Sequence, residues 1–300
     1  MNKDKKLLHA WKNGNAFIEI FEDGTRIIEY PDSLKLDFPL NIDIRVSTQC
    51  AFGLNLKTNK SICSFCHESA TTEGKEADYS VLKEKLKGLP PGVELAVGVN
   101  QFSPGLFDFL DFAKTNQWIV NITVNQGLVF RDTPYLKKCI QDKLVHGIGV
   151  SFRSGMKYIP QFLLEYEHTV VHVIAGIDSI EEVQELSAQG VKKLLILGEK
   201  DFGFNQGKVD LKAFKHVQWY RQLPLLFSKF DVVSFDNLAL EQLNVKRFVL
   251  NWQEMYQGEH SFYINAVEGY FAPSSRSSLK TNWLDIQLKD YFKSIDKEFD

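Results

Sequence analysis

The sequence predicts an α/β fold built on a parallel sheet with crossover helices. Strand-like and helix-like runs alternate through most of the chain. Most of the strand-like runs are short and largely apolar, the pattern of strands buried on both faces. The length of 300 residues suits one large α/β domain or two small ones.

The first segment reads as an antiparallel hairpin. Residues 16–21 are strand-like, Glu22-Asp23-Gly24 supplies the turn, residues 25–30 return, and Pro31 ends the pair. Strands are then expected near 42–47, 94–98, 119–125, 147–152, 169–175, 193–198 and 231–235. Helices are expected at 79–87, 105–115, 134–144, 159–166, 179–189, 211–223 and 238–243. Ser179 with Glu182 three residues on forms a capping box at its helix start. Beyond 245 the pattern changes. Runs at 261–267 and 270–272 flank Glu268-Gly269 as a second hairpin, 273–278 is polar, and a last helix is expected near 283–295. The expected organisation is an N-terminal extension (1–40), a core (41–245) and a C-terminal appendage packed on the core (246–300).

Hydrophobic content of 44% and charged content of 24% suit a soluble globular chain. A net charge of −3 argues for neither nucleic acid nor a membrane surface as partner. No apolar run reaches membrane-spanning length, and residues 1–6 lead into no signal-peptide core. Four cysteines in a chain this long are not a disulfide scaffold. The expected compartment is the reducing cytoplasm, where thiolates stay free for metal.

Cys50, Cys63 and Cys66 carry the chemistry; the fourth cysteine, Cys139, is distant. They follow the strand at 42–47, and the last two form Cys63-Ser64-Phe65-Cys66. Three thiolates at one strand mouth suit three irons of a [4Fe–4S] cluster and leave the fourth iron open for a ligand. Three other readings compete. Cys-x-x-Cys-His with His67 matches covalent haem attachment, which usually needs export and leaves Cys50 idle. A Cys₃His zinc site is chemically sound, though adjacent Cys66 and His67 rarely aim at one ion. A thioredoxin-like pair also ignores Cys50.

Over roughly 41–235 the sequence resembles the radical SAM family, including a poorly characterised bacterial and phage branch. The resemblance rests on the strand feeding the cysteine loop, on aromatic Phe65 one place before the last cysteine, on the strand ending at Gly98-Val99-Asn100, and on the run of βα units. It implies a partial (β/α)6 TIM-like barrel carrying the N-terminal hairpin and the hairpin-plus-helix appendage. It also implies a [4Fe–4S] cluster on Cys50, Cys63 and Cys66, and S-adenosyl-L-methionine near Phe65, Gly98, Val99, Asn100, Asn125, Ser151, Arg153 and Ile174. The implied activity is reductive cleavage of S-adenosylmethionine to a 5′-deoxyadenosyl radical, which takes hydrogen from an unidentified substrate. The implied electron donor is reduced flavodoxin or ferredoxin. Two features depart from the family. Residues 51–62 lengthen the first cysteine gap, as in the 7-carboxy-7-deazaguanine synthases, and the usual Gly-Gly-Glu-Pro is Gly98-Val99-Asn100-Gln101. The alternative is a non-catalytic zinc or iron–sulfur binding protein on the same scaffold.

Strand C-termini in such folds point at the active site. Thr123, Asn125, Gln126, Ser151 and Arg153 stand at two of them, either touching ligand or satisfying loop backbone. Glu199, Lys200 and Asp201 end another, as polar contacts or a solvated loop, while Gly198 and Gly203 suit turns. Cys139 has core spacing with Leu136 and Ile140, and His172 inside an apolar strand reads first as a structural histidine. His67 and Glu68 follow the cluster loop. Tyr263 and Asn265 could cover the barrel mouth, and Lys57 and Lys60 suit a solvated surface.

Overall fold

The computed structural model describes residues 6–156, 158–252 and 260–295. Residues 1–5 of the expected extension, and 253–259 and 296–300 of the expected appendage, lie outside the described residues.

A three-stranded antiparallel sheet comes first: β1 (Leu7–Asn13), β2 (Ala16–Phe21) and β3 (Arg26–Glu29). The expected hairpin is its β2–β3 half. β1 is additional: its apolar residues are interrupted by polar ones, and Gly14 at φ 62° supplies the turn that pairs it with β2.

The main body opens with β4 (Asn41–Arg45). β5 (Gln49–Leu54), which carries Cys50, joins neither sheet and is tied to Thr71 by isolated bridges. Then follow α1 (Tyr79–Leu86), β6 (Glu94–Val99), α2 (Pro104–Thr115) and β7 (Ile119–Asn125). Next come α3 (Gln126–Arg131), α4 (Thr133–Gln141), β8 (Gly147–Ser151), α5 (Gln161–Leu164) and β9 (Thr169–Ile174). α6 (Ile180–Glu185), β10 (Lys193–Leu197), α7 (Phe214–Phe227), β11 (Val232–Phe235) and α8 (Asn237–Gln242) complete the alternation. β12 (Ser261–Asn265), β13 (Tyr270–Ala272), β14 (Thr281–Asn282) and α9 (Leu288–Ser294) follow.

The helix starts have local causes. Asp78 accepts from the Ser80 and Val81 amides at α1, and Ser103 caps α2 ahead of Pro104. Ser179 accepts from the Glu182 amide, one half of the predicted capping box; the other half is not made, because the Ser179 amide donates to Ser154 Oγ and the Glu182 carboxylate accepts from the Gly155 amide. α3 has no apolar period to announce it; Asn125 caps it by accepting from the Gly127 amide at 2.8 Å.

The main sheet has ten strands in the order β11-β10-β9-β8-β7-β6-β4-β12-β13-β14. It is parallel from β11 through β12, and β13 and β14 are antiparallel. The class is therefore α/β with a large, mostly parallel sheet. This sheet is not closed among the described residues. β12 pairs directly with β4, so the C-terminal segment extends the main sheet as well as packing on it. The last helix is shorter than expected, because residues ahead of Leu288 instead bury Trp283 against Phe271.

Burial on both faces is not what the strands show. Ile42, Ile44, Leu95, Val97, Ile122, Val124, Val171 and Val173 are buried in one core with helix residues such as Leu82, Phe109 and Trp219. Their alternate neighbours Asp43, Arg45, Gly98, Thr123, Asn125, Ser151 and His172 are partly or fully accessible. Apolar residues on the open face, such as Val170, Ile174 and Leu195, make the runs look continuous in sequence. Register sets the open-face residues in rows. Arg45, Gly98, Thr123 and Gly149 are neighbours, and Asn125, Ser151 and His172 form the next row toward the strand ends.

Candidate functional site

The strand C-termini and the loops that follow them form one site. Cys50 lies on β5, while Cys63 and Cys66 lie in the loop before α1, closed by the Cys66 amide donating to the Cys63 carbonyl at 3.0 Å. Cys63 is close enough for its charge to raise the thiol pKa of both Cys50 and Cys66. Burial is the larger cause of each rise. Backbone amides of Phe52 and Gly53 aimed at Cys50, and of Ala70 and Glu68 aimed at Cys66, oppose it by favouring thiolate. The Asn125 amide reaches the Cys63 sulfur at 3.9 Å.

Among the described residues, no three His, Cys, Asp or Glu side chains are spaced to hold a metal ion as they stand. The donor chemistry nevertheless suits an iron–sulfur cluster. The thiols share one loop system, backbone N–H groups point at two of the sulfurs, and open space lies beside Gly98, where a Cβ would meet nothing within 4 Å.

The expected S-adenosylmethionine residues occupy the ends of consecutive parallel strands. Gly98 and Val99 end β6, and Asn100 follows, donating to the Ser47 carbonyl at 3.2 Å. Asn125 and Ser151 are register partners at the ends of β7 and β8. The Arg153 guanidinium lies 4.8 Å from the Phe65 ring centroid, and its Nε is buried without a hydrogen-bond partner among the described residues. Buried Gln126 accepts from the Arg153 amide at 3.1 Å. Phe65 and Ile174 line one small cavity of about 40 Å³. Phe65 and Arg153 form one contacting pair, Cys63 and Asn125 another, and Phe65 and Ile174 share a cavity. Ser151 adjoins Asn125 through the sheet register, and Gly98, Val99 and Asn100 stand at the same sheet edge.

A strap formed by 199–208 crosses the cysteine loop. The Phe204 amide donates to the Cys66 carbonyl at 3.0 Å, and Lys208 Nζ donates to the Ser64 carbonyl at 3.4 Å. The strap has its own anchor in the core. Asn205 donates to Glu199 Oε1 at 3.0 Å, and Glu199 Oε2 meets His216 Nε2 on α7 at 2.7 Å. Gly176 leaves the room that the His216 ring fills. Burial works against ionising Glu199, but His216 and Asn205 win and lower its pKa. Gly198 serves close packing against Leu238 rather than a turn, while Gly203 does take a left-handed turn at φ 64°.

On the other side of the loop, Arg45 Nε pairs with Glu68 Oε2 at 2.7 Å, and the Arg45 guanidinium also donates to the Glu68 carbonyl. His67 Nε2 lies 3.2 Å from Glu68 Oε1 and 3.4 Å from Lys200 Nζ. Burial and the Lys200 charge push the His67 pKa down. Burial opposes the Glu68 charge, yet His67, Arg45 and Lys200 together hold its carboxyl at about 2. Asp43 faces the same cleft, where crowding by protein pushes its carboxyl up. His172 leans over Gly149 toward Thr123, and burial holds it at about 4, a neutral imidazole.

Tyr263 lines a cavity with Arg45 and Glu68, whereas Asn265 is fully buried and braces the turn by accepting from the Glu268 amide at 3.0 Å. Cys139 is buried in the core, with its thiol pushed up to about 12. Lys57 and Lys60 are exposed. Sequence reasoning missed Arg45 and His216. The polar alternation Asp43–Arg45 on an otherwise apolar strand was a signal for Arg45; nothing in the local sequence marks His216. No family model, curated protein or solved structure matches this chain. No helix among the described residues is long and apolar enough to cross a membrane.

Proposed function

We propose that this chain is a radical SAM iron–sulfur enzyme acting in the cytoplasm, its open sheet serving as a partial (β/α)6 barrel whose accessible face lines the reaction chamber. One observation carries the reading. The Cys63 thiol, in electrostatic reach of Cys50 and Cys66, meets Asn125 at a parallel-strand C-terminus, beside a Phe65–Arg153 stack.

Cys50, Cys63 and Cys66 would hold the cluster. Bound there with S-adenosylmethionine, and given an electron from reduced flavodoxin or ferredoxin, it would supply a 5′-deoxyadenosyl radical for hydrogen abstraction from substrate. The chain's own residues position and shield. Phe65 offers a ring face to a planar base, with Arg153 stacked on its other side. The space beside Gly98 and the polar ends of Asn100, Asn125 and Ser151 can receive a polar tail. The 199–208 strap keeps the Cys63–Cys66 turn in place and excludes water from it.

Anaerobic reconstitution with iron and sulfide, dithionite reduction and assay of 5′-deoxyadenosine from added S-adenosylmethionine tests the reading. Product with an iron–sulfur spectrum is expected, as is loss of both in Cys50→Ala, Cys63→Ala and Cys66→Ala but not in Cys139→Ala. Stoichiometric zinc with no cluster would overturn it in favour of the non-catalytic alternative.

A further inference from the structure

Gln126 opens α3 and is fully buried, but its side chain crosses to the loop after β8. Its Oε1 accepts from the Arg153 amide at 3.1 Å, and its Nε2 donates to the Tyr158 carbonyl at 2.9 Å. Asp178, in the turn after β9, is buried as well. Its Oδ1 accepts from the Ser154 amide at 3.3 Å and its Oδ2 from the Ile174 amide at 2.7 Å. Its own carbonyl accepts from Trp219 Nε1 on α7 at 2.8 Å, which ties it to the core. β8 lies between β7 and β9, so two successive amides of one loop are held from the strand on either side. Burying such groups costs free energy unless each is matched, and here the matches are made to backbone at the strand ends.

The Arg153 side chain does little to hold its own place. Its Nη1 donates to the Phe152 carbonyl at 2.6 Å, one residue back, and its Nε is buried without a hydrogen-bond partner among the described residues. That unmade bond works against the conformation. Burial raises the Asp178 pKa, and the Ile174 amide, the Arg153 charge and the Ser154 amide oppose the rise. The guanidinium therefore stands over Phe65 because the backbone at 153 and 154 is fixed.

We propose that Gln126 and Asp178 are positioning residues that set the Arg153 guanidinium over the Phe65 ring, with Asp178 also fixing Ile174 on the cavity that Phe65 lines. Both act through the residues they hold. The use of this placement in binding S-adenosylmethionine rests on the function proposed above; the placement itself does not.

NMR of the arginine Nε–Hε groups, on the full chain without cluster loading, tests the placement. Arg153 Hε is expected upfield of free arginine through the Phe65 ring current, and Phe65→Leu should remove that shift. Arg153→Lys assigns the signal by its loss. Gln126→Met fills the space without the hydrogen bonds and should lose most of the shift. Gln126→Glu, as the protonated acid, accepts from the Arg153 amide and donates to the Tyr158 carbonyl, and should retain it. A space-filling role would rank Met above Glu. Asp178→Asn accepts from only one of its two amides, should lose part of the shift, and carries the test if Gln126→Met does not fold. No Phe65-dependent shift in the parent chain, a full shift in Gln126→Met or in Asp178→Asn, or a greater loss in Gln126→Glu than in Gln126→Met would each overturn the assignment.

Equilibrium dialysis of S-adenosylmethionine against the reconstituted chain tests the consequence. Gln126→Met is expected to bind about tenfold more weakly than the parent at equal iron content. Equal affinity would overturn the role in binding. No binding to the parent would sink the radical SAM reading and leave the NMR result to decide the placement.

Discussion

Gly203 stands so close to the His67 carbonyl oxygen that a Cβ added there would lie 2.2 Å from it. Gly203 also holds φ 64°, which L side chains adopt only at a cost. Gly207, at φ 72°, has nothing within 4 Å of its would-be Cβ. Gly207→Ala should therefore cost only about 1 kcal/mol, from backbone conformation. Gly203→Ala should cost roughly 2–4 kcal/mol, because the strap must also lift off the cysteine loop. Thermal melts read the stabilities, and iron content after reconstitution reads the loop. Equal costs for the two variants would show that the strap does not clamp.

Glu68 predicts an acid dependence. Its carboxyl titrates at about 2 in the folded chain against an ordinary 4.5. A depressed carboxyl contributes stability that is complete above pH 4.5 and is lost as pH falls toward 2. Glu68→Gln should lower the unfolding free energy at pH 7 by on the order of 2–3 kcal/mol. The gap from the parent chain should narrow as pH falls through that window. Urea unfolding at pH 7 and at several lower values checks this; a gap that stays constant with pH would exclude the charged network as its cause.

His172 predicts a second window. Folding holds this imidazole at about 4, whereas its ordinary value is 6.5. The unfolded chain therefore takes up its proton first, and stability present above pH 6.5 is lost as pH falls toward 4. His172→Gln should flatten that part of the stability profile. The NMR titration of the His172 ring should centre near 4; a midpoint near 6.5 would place the ring in open water.

Asn125 has two roles that substitutions can separate. It caps α3 and also reaches the Cys63 sulfur. Asn125→Ala should cost about 1 kcal/mol for the cap. Asn125→Ser should restore that stability without restoring the amide at Cys63. Reconstituted Asn125→Ser is expected to load less iron than the parent chain at equal thermal stability. Full loading would confine Asn125 to capping.

Local signals were legible in the sequence. Ser179 caps the helix that it announces, and the alternation of elements produces the α/β class. β1 and α3 were not legible, because neither carries an apolar period; one is made by pairing across Gly14 and the other by the Asn125 cap. The open face was hidden for a different reason. Val170, Ile174 and Leu195 are apolar on the accessible side, so a sequence reading takes both faces as core.

By itself the sequence determined the α/β alternation, the Ser179 cap and the nearness of Cys63 to Cys66, because each depends on residues a few places apart. Only the tertiary structure decided that Lys200 meets His67, that Glu199 anchors on His216, and that Arg45, Glu68 and Tyr263 wall one cavity. Those contacts join different strands, loops and helices. The packing of the sheet against its helices sets where they meet, and no local spacing encodes it.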